Sequence, residues 1–233
     1  MIVGIIGAMD VEIADVKEAM EIHAEKEIAG MRFAEGQIAS INAVLVKCGV
    51  GKVNAALCVQ ILADHFKVTH VVNIGVAGAL LDSLRVGDTI ISHAALYHDV
   101  DLSDLGYQKG LFPEIPAIFW SDVHLMNLAA EAIQGVYLAG IIASGDRFVG
   151  SREEKQKIRE MTNADCCEME GGGIAHACFL NQIPFVIIRT ISDDSSGCNG
   201  YSISEKEVAH IPAEAVIRMM EGMNGTRAVT KTE

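Results

Sequence analysis

The residues best suited to chemistry lie between Cys166 and Asp194, in the run C-C-E-M-E-G-G-G-I-A-H-A-C-F-L-N-Q-I-P-F-V-I-I-R-T-I-S-D-D. Acids end two apolar segments here, Glu168 and Glu170 the first, Asp193 and Asp194 the second. Carboxylates that share a partly dry site can divide general-acid and general-base work, because burial and neighbouring charges set their proton affinities apart. An acid between a strand and a helix also serves as a plain cap or turn former, and Asp193 alone fits that role equally well. Glu170, Asp193, Arg189 and the glycines Gly171, Gly172 and Gly173 within one unit favour a site over a set of caps.

Residues 165–169 read as a short strand, residues 171 to about 180 as a helix, and residues 185–191 as a β-rich buried strand. In a parallel strand-helix-strand unit, ligands bind beyond the carboxyl ends of the strands, so Glu170 and Asp193 are expected to face one pocket. The glycine opening is expected to leave the helix's first backbone N–H groups open to a ligand.

Residues 1–8 form an unbroken apolar run, as expected of a strand buried on both faces, and a helix follows from Met9 and Asp10 to about residue 20. Glu12 in its first turn either complements the helix dipole or stands in the same crevice as Glu170 and Asp193. Residues 31–40 and 41–48 alternate as paired strands. The following turn, Gly49-Val50-Gly51-Lys52-Val53-Asn54, lacks the third glycine of a dinucleotide loop. It also has Val53 where a phosphate loop needs Ser or Thr, so it reads as a tight turn into a helix to about residue 65. Residues 70–74 are a strand ending in Gly75-Val76-Ala77-Gly78-Ala79, where small residues let backbone approach a ligand.

A strand over 88–95 precedes an irregular segment, 97–120, that holds Tyr97, Tyr107, Phe112, Phe119 and Trp120. Such a segment is a lid or an interface, or a loop folded on its own domain. Beyond it come a helix from Ser121 to about 134, a strand over 138–144, the turn Gly145-Asp146-Arg147-Phe148-Val149, a charged helix after Ser151, and a last helix over about 204–222. Residues 224–233 read as a frayed tail. His93, His98, Asp99 and Asp101 lack metal-ligand spacing, and no metal or cofactor is expected.

With 233 residues, half of them hydrophobic, the chain suits one α/β domain over residues 1–233. A net charge of −13 without a basic block argues against nucleic acid and anionic membranes as partners. No apolar run reaches the ~18 residues of a membrane span, and the first residues enter a strand without a leader pattern. A cytosolic protein is therefore expected, and its six cysteines, without a Cys-x-x-Cys pair, read as mostly buried free thiols.

The strings E-M-E-G-G-G-I-A-H-A-C, F-V-I-I-R-T-I-S-D and G-I-I-G-A-M-D-V-E resemble the purine-nucleoside-cleaving superfamily, most closely its 5'-methylthioadenosine/S-adenosylhomocysteine nucleosidases. The resemblance implies a mixed central β-sheet flanked by helices, of the nucleoside phosphorylase/hydrolase kind. It also implies hydrolysis of the N-glycosidic bond of methylthioadenosine, S-adenosylhomocysteine or 5'-deoxyadenosine to adenine, in methionine and S-adenosylmethionine salvage. Glu12 then activates water and Asp193 protonates purine N7. Glu170 holds the ribose hydroxyls, Met169 packs on the sugar, Phe148 stacks on the purine and the Val149 backbone bonds its edge. Gly78 lies beside the ribose, and Met9, Val50, Val76, Ala77 and Ile203 complete the binding set. Ser192 and Arg189 orient the acids.

Leu105, Tyr107 and Pro113 are implied to close the neighbouring subunit's pocket in a homodimer. Val76, Ala79 and Ile203 depart from the family pattern, with a serine usual at the first and an aromatic common at the third. The related phosphorylases carry arginine where this chain has Asn73, and a carboxylate at Glu12 suits water and repels phosphate, so hydrolysis is expected. A futalosine-type nucleosidase, a phosphorylase and a non-catalytic nucleoside-binding protein are the alternatives.

Overall fold

Buried apolar runs lay down the centre of the sheet, and charged runs mark its margin. In chain order the described elements are β1 (Ile2–Gly7), α1 (Asp10–Ala19), β2 (Glu21–Ile28), β3 (Met31–Ile38), β4 (Ile41–Lys47), α2 (Lys52–Phe66), β5 (His70–Ala79) and β6 (Thr89–Tyr97). There follow a 3₁₀ turn (Ser103–Leu105), β7 (Phe119–Trp120), α3 (Val123–Ala132), β8 (Tyr137–Ser144), α4 (Arg152–Thr162), β9 (Cys166–Glu168), α5 (Gly171–Asn181), β10 (Phe185–Asp193) and α6 (His210–Val229). The computed structural model describes residues 1–197, 205 and 207–229, with side-chain surroundings up to residue 223. Ile203 and Cys198 lie outside the described residues.

The sheet is mixed and flanked by helices, as expected. The path β2-β3-β4-β1-β5 forms an open wing, in which β1, β4 and β5 are parallel and the β4-β3-β2 meander is antiparallel. From β5 the pairing closes on itself: β5 with β10, β10 with β6, β6 with β8, β8 with β9, and β9 back to β5. Closure into this five-strand ring was not expected from the sequence. Within it β9 runs antiparallel to β5 while β10 runs parallel to it, so β9-α5-β10 is not the parallel unit the sequence suggested. Gly78 on β5 pairs with both Cys167 and Asp193, and that shared neighbour brings the ends of β9 and β10 to one place.

Two cores result. Apolar residues of α2 and α5 cover one face, among them Leu62, Phe66, Ile174 and Cys178. Those of α1, α3 and α6 cover the other, among them Val16, Leu125, Val216 and Met219. Each such side chain taken from water contributes about 1.5–3 kcal/mol. Lys and Glu crowd β2, E-I-H-A-E-K-E-I, which suits an exposed sheet edge that must not pair with another chain. Beyond the end near residue 222 read from the sequence, α6 runs on to Val229, so part of the tail expected to be frayed is helical. No helix among the described residues is long and apolar enough to cross a membrane.

Candidate active site

A cleft at the mouth of the ring collects most of the residues singled out by sequence. Met9, Glu12, Val50, Val76, Ala77, Gly78, Phe148, Val149, Met169, Glu170, Ser192 and Asp193 all line it, with Ala8, Arg147, Cys167 and Glu168. Its volume is about 580 Å³, part of it open to solvent. Phe148 is an exposed wall of the cleft and not the core residue that was its alternative reading.

Glu12 does both jobs that its position suggested. At the start of α1 its Oε2 accepts from the backbone N–H groups of Ala8 at 2.7 Å and Met9 at 3.0 Å, which caps the helix. Its Oε1 accepts from the Val76 N–H on β5 at 3.1 Å. A carboxylate has about four acceptor sites, so three bonds to backbone leave one for a water in the cleft. Burial pushes the Glu12 carboxyl above its ordinary range, opposed by the Arg189 guanidinium and the three backbone donors.

Arg189 lies behind the cleft wall, fully buried, and ties the acids together. Its Nη2 donates to Asn73 Oδ1 at 2.8 Å, to Glu168 Oε2, and to Glu170 Oε2 at 3.4 Å. Its Nη1 stands 3.9 Å from Glu12 Oε1. Asn73 donates in turn to the Ile6 carbonyl at 2.8 Å, which fixes the guanidinium against β1. Glu170 presents Oε1 to the Gly51 N–H at 2.9 Å, so the Gly49-Val50-Gly51 turn is part of the site wall. Burial, then the charge of Glu168, raise the Glu170 carboxyl to about 7, with Arg189 and the Gly51 N–H opposing.

The glycine run serves packing rather than ligand approach. The N–H groups of Glu170 and Gly171 are taken by Glu168 Oε2 at 3.0 and 2.7 Å, and that of Gly172 by Ser144 Oγ at 2.6 Å. A Cβ on Gly173 would stand 2.7 Å from the Lys52 carbonyl, and one on Gly172 2.9 Å from Tyr97 and Ser144, so α5 sits closer to its neighbours than any side chain permits.

Asp193 is held through both of its carboxylate oxygens. Its Oδ1 accepts from Ser192 Oγ at 2.9 Å, and its Oδ2 is bonded to the Lys155 ammonium of α4. Lys155 is the functional candidate that sequence reasoning passed over, and Glu168 stands there as a strand-end acid without a role. Lys155 hides in the charged stretch S-R-E-E-K-Q-K, and the available signal was its place three residues before Ile158, the other buried residue of α4. Glu168, the last residue of β9, turns to Ser144 and Arg189.

Leu105, Tyr107 and Pro113 are exposed, and none lines the cleft of its own chain. Other aromatics of the segment fold back: Tyr97 meets Phe112 and Phe119 edge-on, with ring centroids 5.7 and 6.0 Å apart. Of the polar loop residues once weighed as ligands, Asp99 binds Lys52 and Asp101 binds Lys109.

Residues 2–222 match the family model described as the phosphorylase superfamily. A 5'-methylthioadenosine/S-adenosylhomocysteine nucleosidase of Geobacillus kaustophilus is 39% identical over 230 residues, 96% of this chain and 98% of that one. The Neisseria meningitidis nucleosidase of the same name, in complex with methylthio-immucillin-A, superposes with a TM-score of 0.91 at 36% identity, over 95% of this chain and 99% of that one. The futalosine hydrolase of Helicobacter pylori gives a TM-score of 0.91 at 29% identity, covering 95% and 98%.

Proposed function

The chain belongs to the phosphorylase superfamily, among its 5'-methylthioadenosine/S-adenosylhomocysteine nucleosidases, and on that footing we propose that it hydrolyses the N-glycosidic bond of 5'-thio-substituted adenosines, releasing adenine. The observation that carries this is the pairing of charges around the cleft. Glu12, Glu170 and Asp193 line it, while the buried cations among the described residues, Arg189 and Lys155, are each bonded to carboxylates. Arg147 at the mouth is paired with Glu154. A phosphorolytic site needs cationic donors for the attacking phosphate, and Asn73 is neutral and bonded to Arg189.

In this reading Glu12 takes a proton from the water held at its remaining acceptor site. Breaking the C1'–N9 bond leaves positive charge on the sugar and negative charge on the purine. Glu170 accepts from the ribose hydroxyls and stabilises the first, while Asp193 gives a proton to purine N7 and removes the second. Phe148 offers a face for the base and Met169 one for the sugar. The exposed Leu105, Tyr107 and Pro113 suit a homodimer in which this segment closes the partner's cleft, and light scattering beside kinetics tests it: an active monomer at assay concentration would contradict it. The reaction belongs to methionine and S-adenosylmethionine salvage in the cytosol.

Adenine release from methylthioadenosine, adenosylhomocysteine, 5'-deoxyadenosine and a futalosine-type nucleoside tests the reading. The thioadenosines are expected to be the best substrates. Preference for the futalosine type would move the chain toward the Helicobacter pylori hydrolase that it also resembles in fold, and release from none would overturn the reading.

A further inference from the structure

Lys155 is a fully buried cation that the reaction as drawn above leaves unused. It reaches from α4 to the rear of Asp193, where its ammonium bonds Asp193 Oδ2 and the Asp194 carbonyl. Gly78 makes room for the contact: a Cβ there would stand 2.9 Å from Asp193 Oδ2 and 3.2 Å from Lys155 Nζ. With Ser192 Oγ donating to Oδ1, both carboxylate oxygens already accept hydrogen bonds. Asp193 is thus placed as an acceptor, although the reaction asks it to donate. Lys155 is the titratable donor in contact with it.

We propose that Lys155 supplies the proton that Asp193 passes to the leaving purine, so that the general acid is a lysine-aspartate pair rather than a lone carboxyl. As the C1'–N9 bond breaks, its electron pair passes to the purine. A proton moves from the Lys155 ammonium to Asp193 and from Asp193 to N7, leaving Lys155 as a neutral amine. The attacking water gives its oxygen to C1' and a proton to Glu12. Exchange with solvent then returns Glu12 to carboxylate and Lys155 to ammonium, so one water is consumed and no net proton. Burial makes the transfer accessible, because charge separation is costly where water is excluded and the neutral form of the pair lies closer in energy than in solution.

Other charged or titratable groups around the pair are the buried Cys167 thiol, the Asp194 carboxylate near the surface, and Asp82, Arg152, Arg159 and Glu160 in the groove on its outer side. Burial raises Cys167 to about 12, so it stays a thiol across the working range. Lys155 acts through Asp193 and is a positioning residue.

The inference rests on the nucleosidase reading, and one set of pH profiles tests both. In wild type, kcat for adenine release is expected to hold to above about pH 8.5 before it falls. Lys155→Met should keep KM and stay within about three-fold of wild-type kcat at pH 6, yet fall at least about ten-fold below it at pH 8.5. Lys155→Arg keeps the positive charge and a hydrogen-bond donor but holds its protons, so it should fold and bind substrate without restoring kcat. Rescue by arginine, or a Lys155→Met profile that matches wild type, would overturn the inference and leave the nucleosidase reading standing. If neither variant folds, a wild-type alkaline limb below about pH 7.5 still overturns it. A wild type that releases no adenine overturns the reading and the inference together.

Discussion

Glu12 and Arg189 face each other at 3.9 Å, Oε1 to Nη1, in the space that a side chain on Gly75 would occupy. A Cβ at Gly75 would lie 1.9 Å from Arg189 Nη1 and 2.4 Å from Glu12 Oε1. Neither group can retreat, because Glu12 is held by three backbone donors and Arg189 by Asn73, Glu168 and Glu170. Gly75→Ala is therefore expected to cost about 1–3 kcal/mol in stability and, by displacing the water-activating carboxylate, about 10²-fold in kcat. Thermal unfolding and steady-state kinetics check it; a wild-type Tm with wild-type kcat would mean that the Glu12–Arg189 relationship is not needed.

Glu12→Gln and Asp193→Asn keep shape and remove the base and the acid. Each is expected to lower kcat by about 10²–10⁴ with KM largely kept, since the lost interactions form only as the bond breaks. Near wild-type rates for both would place the chemistry elsewhere in the molecule.

Glu170 ties function to pH in the opposite sense to stability. Its carboxyl is raised to about 7, above the ordinary value of 4.5, so the folded state binds more protons than the unfolded one between those values. Its contribution to stability is present below the lower value and is lost as pH rises through the upper. A shift of this size is on the order of 3 kcal/mol, part of which a glutamine gives back in weaker hydrogen bonds. Glu170→Gln should raise Tm at pH 8 by roughly 2–6 °C, with the gap closing by pH 5. Activity runs the other way: wild-type kcat/KM should climb as pH rises toward about 7, where Glu170 ionises to accept from the ribose. Equal melting of the two proteins at pH 8 would contradict the burial argument.

Much of this arrangement is legible in residue patterns. The apolar runs of β1, β4 and β10 announce buried strands, and the E-M-E and I-S-D strings place Glu170 and Asp193 at strand ends. What is not legible is which strands pair. The carboxyl ends of β9 and β10 meet through Gly78 of an antiparallel and a parallel partner, a relation that periodicity cannot express. Strand β2 was missed because an edge strand exposed on both faces shows charge where alternation is sought. Val76 was read for the hydroxyl it lacks. Its side chain packs with Val208 and Ala209 while its backbone N–H holds Glu12, so the position keeps a hydrogen bond to the base whatever its side chain.

The central claim is that water, held by Glu12, is the nucleophile. Methylthioadenosine turned over in ¹⁸O-labelled water with added inorganic phosphate, and the sugar product examined by mass spectrometry, tests it most directly. The expected result is adenine and free methylthioribose carrying one ¹⁸O atom, at a rate unchanged when phosphate is left out. A sugar 1-phosphate without label at the anomeric carbon, formed only with phosphate present, would contradict it.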